Sequence, residues 1–153
     1  MVNKRFDNGF SLVELLVVIG LIAILASAAI PPITKYFRTY KYIEYATSME
    51  NLVRWARLTA IERTVNVGLC IQGNTLQIIN MGANRTNICS GSVINSLQIT
   101  HNFVSLSGAG AAFDPKGFAI FDGNVCVTNN SEFYRVRISR FGAIRTEKGT
   151  GGC

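Results

Sequence analysis

The chain has 153 residues, with 15 Lys and Arg against 9 Asp and Glu, a formal net charge of +6 and 48% hydrophobic residues. That basic excess permits contact with nucleic acid or anionic surfaces without requiring it, and no nucleotide loop, metal-ligand cluster or nucleophile–base pair points to an enzyme or a cofactor. With one apolar span set aside, about 120 residues remain, enough for a single domain of modest core.

Residues 1–9 form a short head with Lys4, Arg5 and Asp7, followed by an apolar run from Phe10 to Ile33 in which Glu14 is the only charged residue. The run is long enough to cross a bilayer as a helix, and Lys4 and Arg5 should hold residues 1–9, a leader peptide, on the cytoplasmic side. Removing the leader takes away a net +1 and leaves a chain of about +5. A lone carboxylate at a bilayer centre costs about 2.5–3.5 kcal/mol, so Glu14 marks either a partner or a hydrated position near the interface. It lies about 6 Å along the helix axis from Phe10.

The stretch Gly9-Phe10-Ser11-Leu12-Val13-Glu14-Leu15-Leu16, behind its basic head, resembles the class III signal and N-terminal helix of type IV pilins and pseudopilins. The resemblance implies that prepilin peptidase cuts between Gly9 and Phe10 and that the new Phe10 amine is N-methylated. It implies further that the Glu14 carboxylate pairs with the free amine of a neighbouring subunit during assembly. Other pilins or pseudopilins and an inner-membrane assembly platform would be the partners. The subunit would cross the inner membrane once, with its head in the periplasm, and later stand in a periplasmic or cell-surface filament. Two other readings remain: release from Ala29 by signal peptidase after Ala26-Ser27-Ala28, and an uncleaved signal anchor.

Pro31 and Pro32 remove two backbone donors near the outer end of the run, which predicts a helix kink. Pro31 is the twenty-second residue counted from Phe10, where pilins carry a proline. Beyond it, Ile33, Tyr36, Phe37, Tyr40, Ile43, Ala46, Met49, Leu52, Val53, Ala56 and Ala60 recur at three- and four-residue steps between charged residues. This predicts an amphipathic helix over 34–63 whose apolar stripe packs on a sheet.

The segment Leu52-x-x-Trp55-Ala56-Arg57-x-x-Ala60-Ile61-x-Arg63, followed by Val67-x-Leu69-Cys70, resembles the GspH/FimT family of minor pilins and type II secretion pseudopilins, as does Phe113-x-Pro115-x-Gly117. Alternation predicts a strand through Val67, Leu69 and Ile71, a turn at Gln72-Gly73-Asn74 and a returning strand from Leu76 to Asn80. A loop over 82–91 follows, then strands over 93–100 and 103–106 separated by His101-Asn102, with His101 read as a turn or surface residue. Gly108 to Ala112 reads as a flexible connection, Phe113 to Gly117 as a tight turn and 118–121 as a strand. Asp122-Gly123 reads as a turn into Val125-Cys126-Val127, Asn129-Asn130 as another, and 133–139 pairs with 143–147. The expected fold is α+β and type IV pilin-like. A long N-terminal helix, transmembrane over 10–33 and amphipathic over 34–63, packs on a small antiparallel sheet or pair of sheets in a head over 64–153.

Cys70, Cys89, Cys126 and Cys153 are 19, 37 and 27 residues apart, without the close pairs of a zinc or redox motif, and read as structural in an oxidising periplasm. Of the three possible pairings, Cys70–Cys89 and Cys126–Cys153 each close a short stretch and are favoured. Finally, Arg135, Arg137, Arg140, Arg145 and Lys148 crowd one hairpin with Glu147, a possible DNA-contacting stripe. Some FimT-type minor pilins bind DNA through Gly-Arg-x-Arg in that hairpin; here the residues are Gly142-Ala143-Ile144-Arg145, and one arginine is missing. A solvated face meeting acidic neighbours in a filament is the plainer reading.

Overall fold

The computed structural model of the chain describes residues 10–153, apart from the side chains of residues 28–32. It divides into two compact units, with the boundary between Arg38 and Thr39. One helix, α1 (Leu12–Arg63), contributes to both. Ser11 caps its start, accepting from Val13 N on Oγ at 3.3 Å and from Leu15 N on its carbonyl at 3.1 Å. At the other end Thr64 takes a left-handed φ of 54° and ends the helix.

In the first unit, α1 is apolar on every side and its described side chains are exposed, from Leu12 through Leu25. A helix that is hydrophobic all round needs cover from lipid or from other helices. Among the described residues no helix is long and apolar enough to cross a membrane. Within the run the described side chains are unbroken only from Phe10 to Ser27, short of the about 20 residues a span needs. The expected kink concerns Pro31 and Pro32, which fall within α1's bounds but whose side chains lie outside the described residues, as does Gly9.

In the second unit, α1 lies on one seven-stranded antiparallel sheet, not a pair of sheets, in the order β3-β2-β1-β4-β5-β6-β7. The strands are β1 (Asn66–Gln72), β2 (Thr75–Gly82), β3 (Ser92–Gln98), β4 (Val104–Phe113), β5 (Ala119–Asn129), β6 (Glu132–Ile138) and β7 (Ile144–Thr150). The core joins Met49, Val53, Ala56 and Ala60 of α1 to Leu69, Phe113, Val125 and Val136 from the sheet. Met49, Val53, Ala56 and Ala60 fall at steps of three and four, so they share one helix face. The expected stripe fails at its start: Ile33, Tyr36, Phe37, Tyr40 and Ile43 are exposed, while Tyr42 and Tyr45 are buried. Periodicity finds an apolar face but cannot say where the sheet beneath it ends.

Two glycine-rich segments also differ from expectation. Gly108 to Ala112 is not a flexible link but the middle of β4, and Asp122-Gly123 lies inside β5. Register shifts accompany Gly108 and Gly110, both at positive φ, and a Cβ on Gly123 would stand 1.8 Å from the Gly110 carbonyl oxygen. The glycines therefore serve bulges and a close backbone crossing, which propensity alone reads as loop.

Residues 66–70 of β1 are buried without alternation because both faces of the strand are covered. A second small core of Cys70, Ile79, Met81 and Ala112, with Ile88, lies apart from the main core, and the Ile88 carbonyl would stand 2.3 Å from a Cβ on Gly68. The covering loop is tied down by a Cys70–Cys89 disulfide, and Cys126–Cys153 ties the tail to β5. His101 is not a plain surface residue: it is half-buried, with Nδ1 2.9 Å from Tyr45 Oη and its ring edge-on to Phe103.

Candidate functional site

The N-terminal element is built from Phe10, Ser11 and the first turn of α1. Phe10 and Glu14 are exposed, and Glu14 sits in the first turn, where the helix dipole favours a negative charge. The described apolar side chains around it, Leu12, Val13, Leu15 and Leu16, are exposed.

The C-terminal hairpin does not gather its five cations on one surface. In the β6–β7 register Arg135 stands opposite Glu147 and Arg137 opposite Arg145, whereas Lys148 stands opposite Tyr134. Since side chains alternate between faces, Arg135, Arg137 and Arg145 share one face and Lys148 takes the other. Glu147 pairs with Arg135 at 3.5 Å and with Arg137 at 3.3 Å, and Arg140 pairs with Asp122 at 3.5 Å. Arg135 also donates to the Cys153 carbonyl and lies 5.0 Å from the Phe133 ring centroid, so it acts as a clamp on the tail. Lys148 Nζ lies 4.9 Å from the Tyr134 ring. Among the described residues, Arg145 and Lys148 have no carboxylate partner.

Residues that sequence reasoning missed fasten α1 to the sheet. Tyr134 on β6 donates its hydroxyl to Glu50, which also accepts from Arg54 Nε at 3.1 Å. The Tyr134 hydroxyl, with Arg54 beside it, holds the Glu50 carboxyl below its ordinary value, and burial together with Glu50 pushes Tyr134 up to about 12. Arg57 Nε donates to the Gly117 carbonyl at 3.0 Å. The Glu50–Arg54 spacing was legible as an i,i+4 helix pair, but the strand partner was not. Among the described residues no group of three or more His, Cys, Asp or Glu could hold a metal ion.

A long helix with an apolar first half and a second half packed on an antiparallel sheet is the type IV pilin-like fold. Solved structures of two such proteins are similar to it. The type IV minor pilin FimU of Pseudomonas aeruginosa is similar at a TM-score of 0.57 and 12% identity, over 73% of this chain and 92% of that one. The minor pseudopilin EpsH from the type 2 secretion system of Vibrio cholerae is similar at 0.52 and 14%, over 67% and 92%. In sequence, the family model for the prokaryotic N-terminal methylation motif matches residues 4–30, and that for type II transport protein GspH matches residues 45–142. The chain belongs to the GspH family of minor pilins and pseudopilins. No curated protein matches it.

Proposed function

We propose that this chain is a structural subunit that enters, or primes assembly of, a type IV pilus or a type II secretion pseudopilus. Prepilin peptidase cuts between Gly9 and Phe10, the Phe10 amine is methylated, and residues 10–33 anchor the subunit in the inner membrane with its head in the periplasm. On assembly the same helix leaves lipid for the filament core, where the Glu14 carboxylate meets the N-terminal amine of an adjacent subunit. The inner-membrane platform carries out the transfer.

The observation that supports this reading best is the single carboxylate in the first turn of an all-round apolar, uncovered helix, within the residues that match the methylation motif. An ionised group there is tolerated next to an opposite charge and costly without one. Two measurements test it together. The mass of the mature chain should correspond to a start at N-methylated Phe10, against Ala29 or Met1 for the other readings. Glu14→Ala and Glu14→Gln should both be processed and yet fail to enter filaments; normal incorporation of either removes the proposal.

DNA uptake through Arg135, Arg137, Arg140, Arg145 and Lys148 has less support, because Glu147 and Asp122 engage three of the five in ion pairs and the remaining two occupy opposite faces.

A further inference from the structure

β7 is the last strand of the sheet, and its outer edge has no partner strand among the described residues. The hydrogen-bond phase of the hairpin fixes which groups stand on that edge. Ser139 N donates to the Ala143 carbonyl at 3.0 Å, and Gly151 N donates to the Ser131 carbonyl at 2.9 Å. Bonded and non-bonded pairs alternate along an antiparallel ladder, so Arg145, Glu147 and Gly149 turn their backbone groups to β6. Ile144, Thr146, Lys148 and Thr150 therefore present N–H and C=O groups outward, a template for another strand.

Beside this edge runs a groove of about 460 Å³, between Tyr42, Ala46 and Thr47 of α1, Glu132 and Tyr134 of β6, and Lys148 of β7. Its volume falls in the range of roughly 300–1,000 Å³ usual for ligand sites. The side chains of an added strand would alternate. One set would enter the groove under α1, and the other would lie on the opposite face, where Arg145 has no carboxylate partner among the described residues and Glu147 is already held by Arg135 and Arg137.

We infer that the β7 edge takes an extended segment of another polypeptide by strand addition, with apolar residues at alternate positions filling the groove and acidic residues between them meeting Arg145. Main-chain bonds to Ile144, Thr146, Lys148 and Thr150 supply affinity, and the groove on one face with Arg145 on the other supplies selectivity. Nothing in this geometry depends on filament assembly or on processing at Gly9.

The test uses the full chain in detergent micelles and a fluorescently labelled eight-residue peptide of alternating valine and glutamate. Saturable binding is expected, with a peptide of alternating valine and lysine at least about tenfold weaker. Lys148→Pro removes one outward donor and blocks the edge while leaving every β6–β7 bond in place, and it should abolish binding. Thr47→Trp fills the groove without touching the strand or its charges and should abolish it too. Amide exchange at Ile144, Thr146, Lys148 and Thr150 should slow when the peptide is bound. No binding of the valine–glutamate peptide, or equal binding by both variants, overturns the inference.

Discussion

Arg57, in the last third of α1, donates its Nε to the carbonyl oxygen of Gly117 at 3.0 Å, joining the helix to the turn between β4 and β5. A Cβ on Gly142, in the β6–β7 turn, would stand 1.9 Å from that same oxygen and 3.3 Å from Arg57 Nε. Three segments distant in sequence thus converge on one carbonyl, with a glycine leaving the room. Arg57→Met should lower stability by about 1.5–3 kcal/mol, the range for a hydrogen bond with a charged donor. Gly142→Ala should cost more than about 2 kcal/mol, since its φ of +73° adds backbone strain to the collision. Thermal melts of the two variants check the order; a harmless Gly142→Ala would mean that the junction is looser than described.

The Glu50–Tyr134 contact makes stability fall at both ends of the pH scale. The Glu50 carboxyl titrates below its ordinary 4.5, so its contribution is present above that value and is lost as pH drops through the lowered one. Tyr134 is raised to about 12 from 10, so its contribution is present below pH 10 and is lost as pH climbs from 10 towards 12. In Tyr134→Phe both losses should shrink. Denaturant midpoints across pH, compared between the parent chain and this variant, measure the difference.

Cys70–Cys89 closes a loop of 19 residues over the outer face of β1. Chain-entropy reasoning gives about 3 kcal/mol for a loop of that size. Replacing both cysteines with serine should cost about that much and should speed amide exchange at Ile88 and Gly68, which the loop covers. Equal exchange in parent and variant would show that Ile88 alone keeps the loop down.

Arg135 and Arg145 are expected to respond in opposite ways. Arg135→Ala removes the contacts to Glu147 and to the Cys153 carbonyl and should lower the melting temperature. Arg145→Ala removes an exposed cation that has no carboxylate partner among the described residues and should change stability by less than about 0.5 kcal/mol. If duplex DNA binds the chain through this hairpin, both variants should weaken that binding and flatten its salt dependence. Calorimetry beside a salt titration separates a clamp from a contact.

Much of the architecture was visible in the residues. Met49, Val53, Ala56 and Ala60 announce a buried helix face by spacing alone, and Gln72-Gly73-Asn74 and Asn129-Asn130 mark turns by their chemistry. Where reading failed, a local rule met a long-range demand. Gly108, Gly110 and Gly123 look like loop residues because glycine usually loosens a chain, yet in β4 and β5 they let two backbones cross at a bulge. The expected stripe through Tyr36, Tyr40 and Ile43 is a true helical repeat, but the sheet lies under only the later part of it.

Sequence by itself determined the N-terminal element, from the basic head through Glu14, and the class of fold, because those signals are carried by neighbours within a turn or two of helix. Only the tertiary structure decided which cations have a carboxylate beside them, which aromatic hydroxyl holds Glu50, and which strand is left open at the sheet's edge. Those outcomes depend on register between strands far apart in the chain, and a one-residue shift would exchange every face and every edge group.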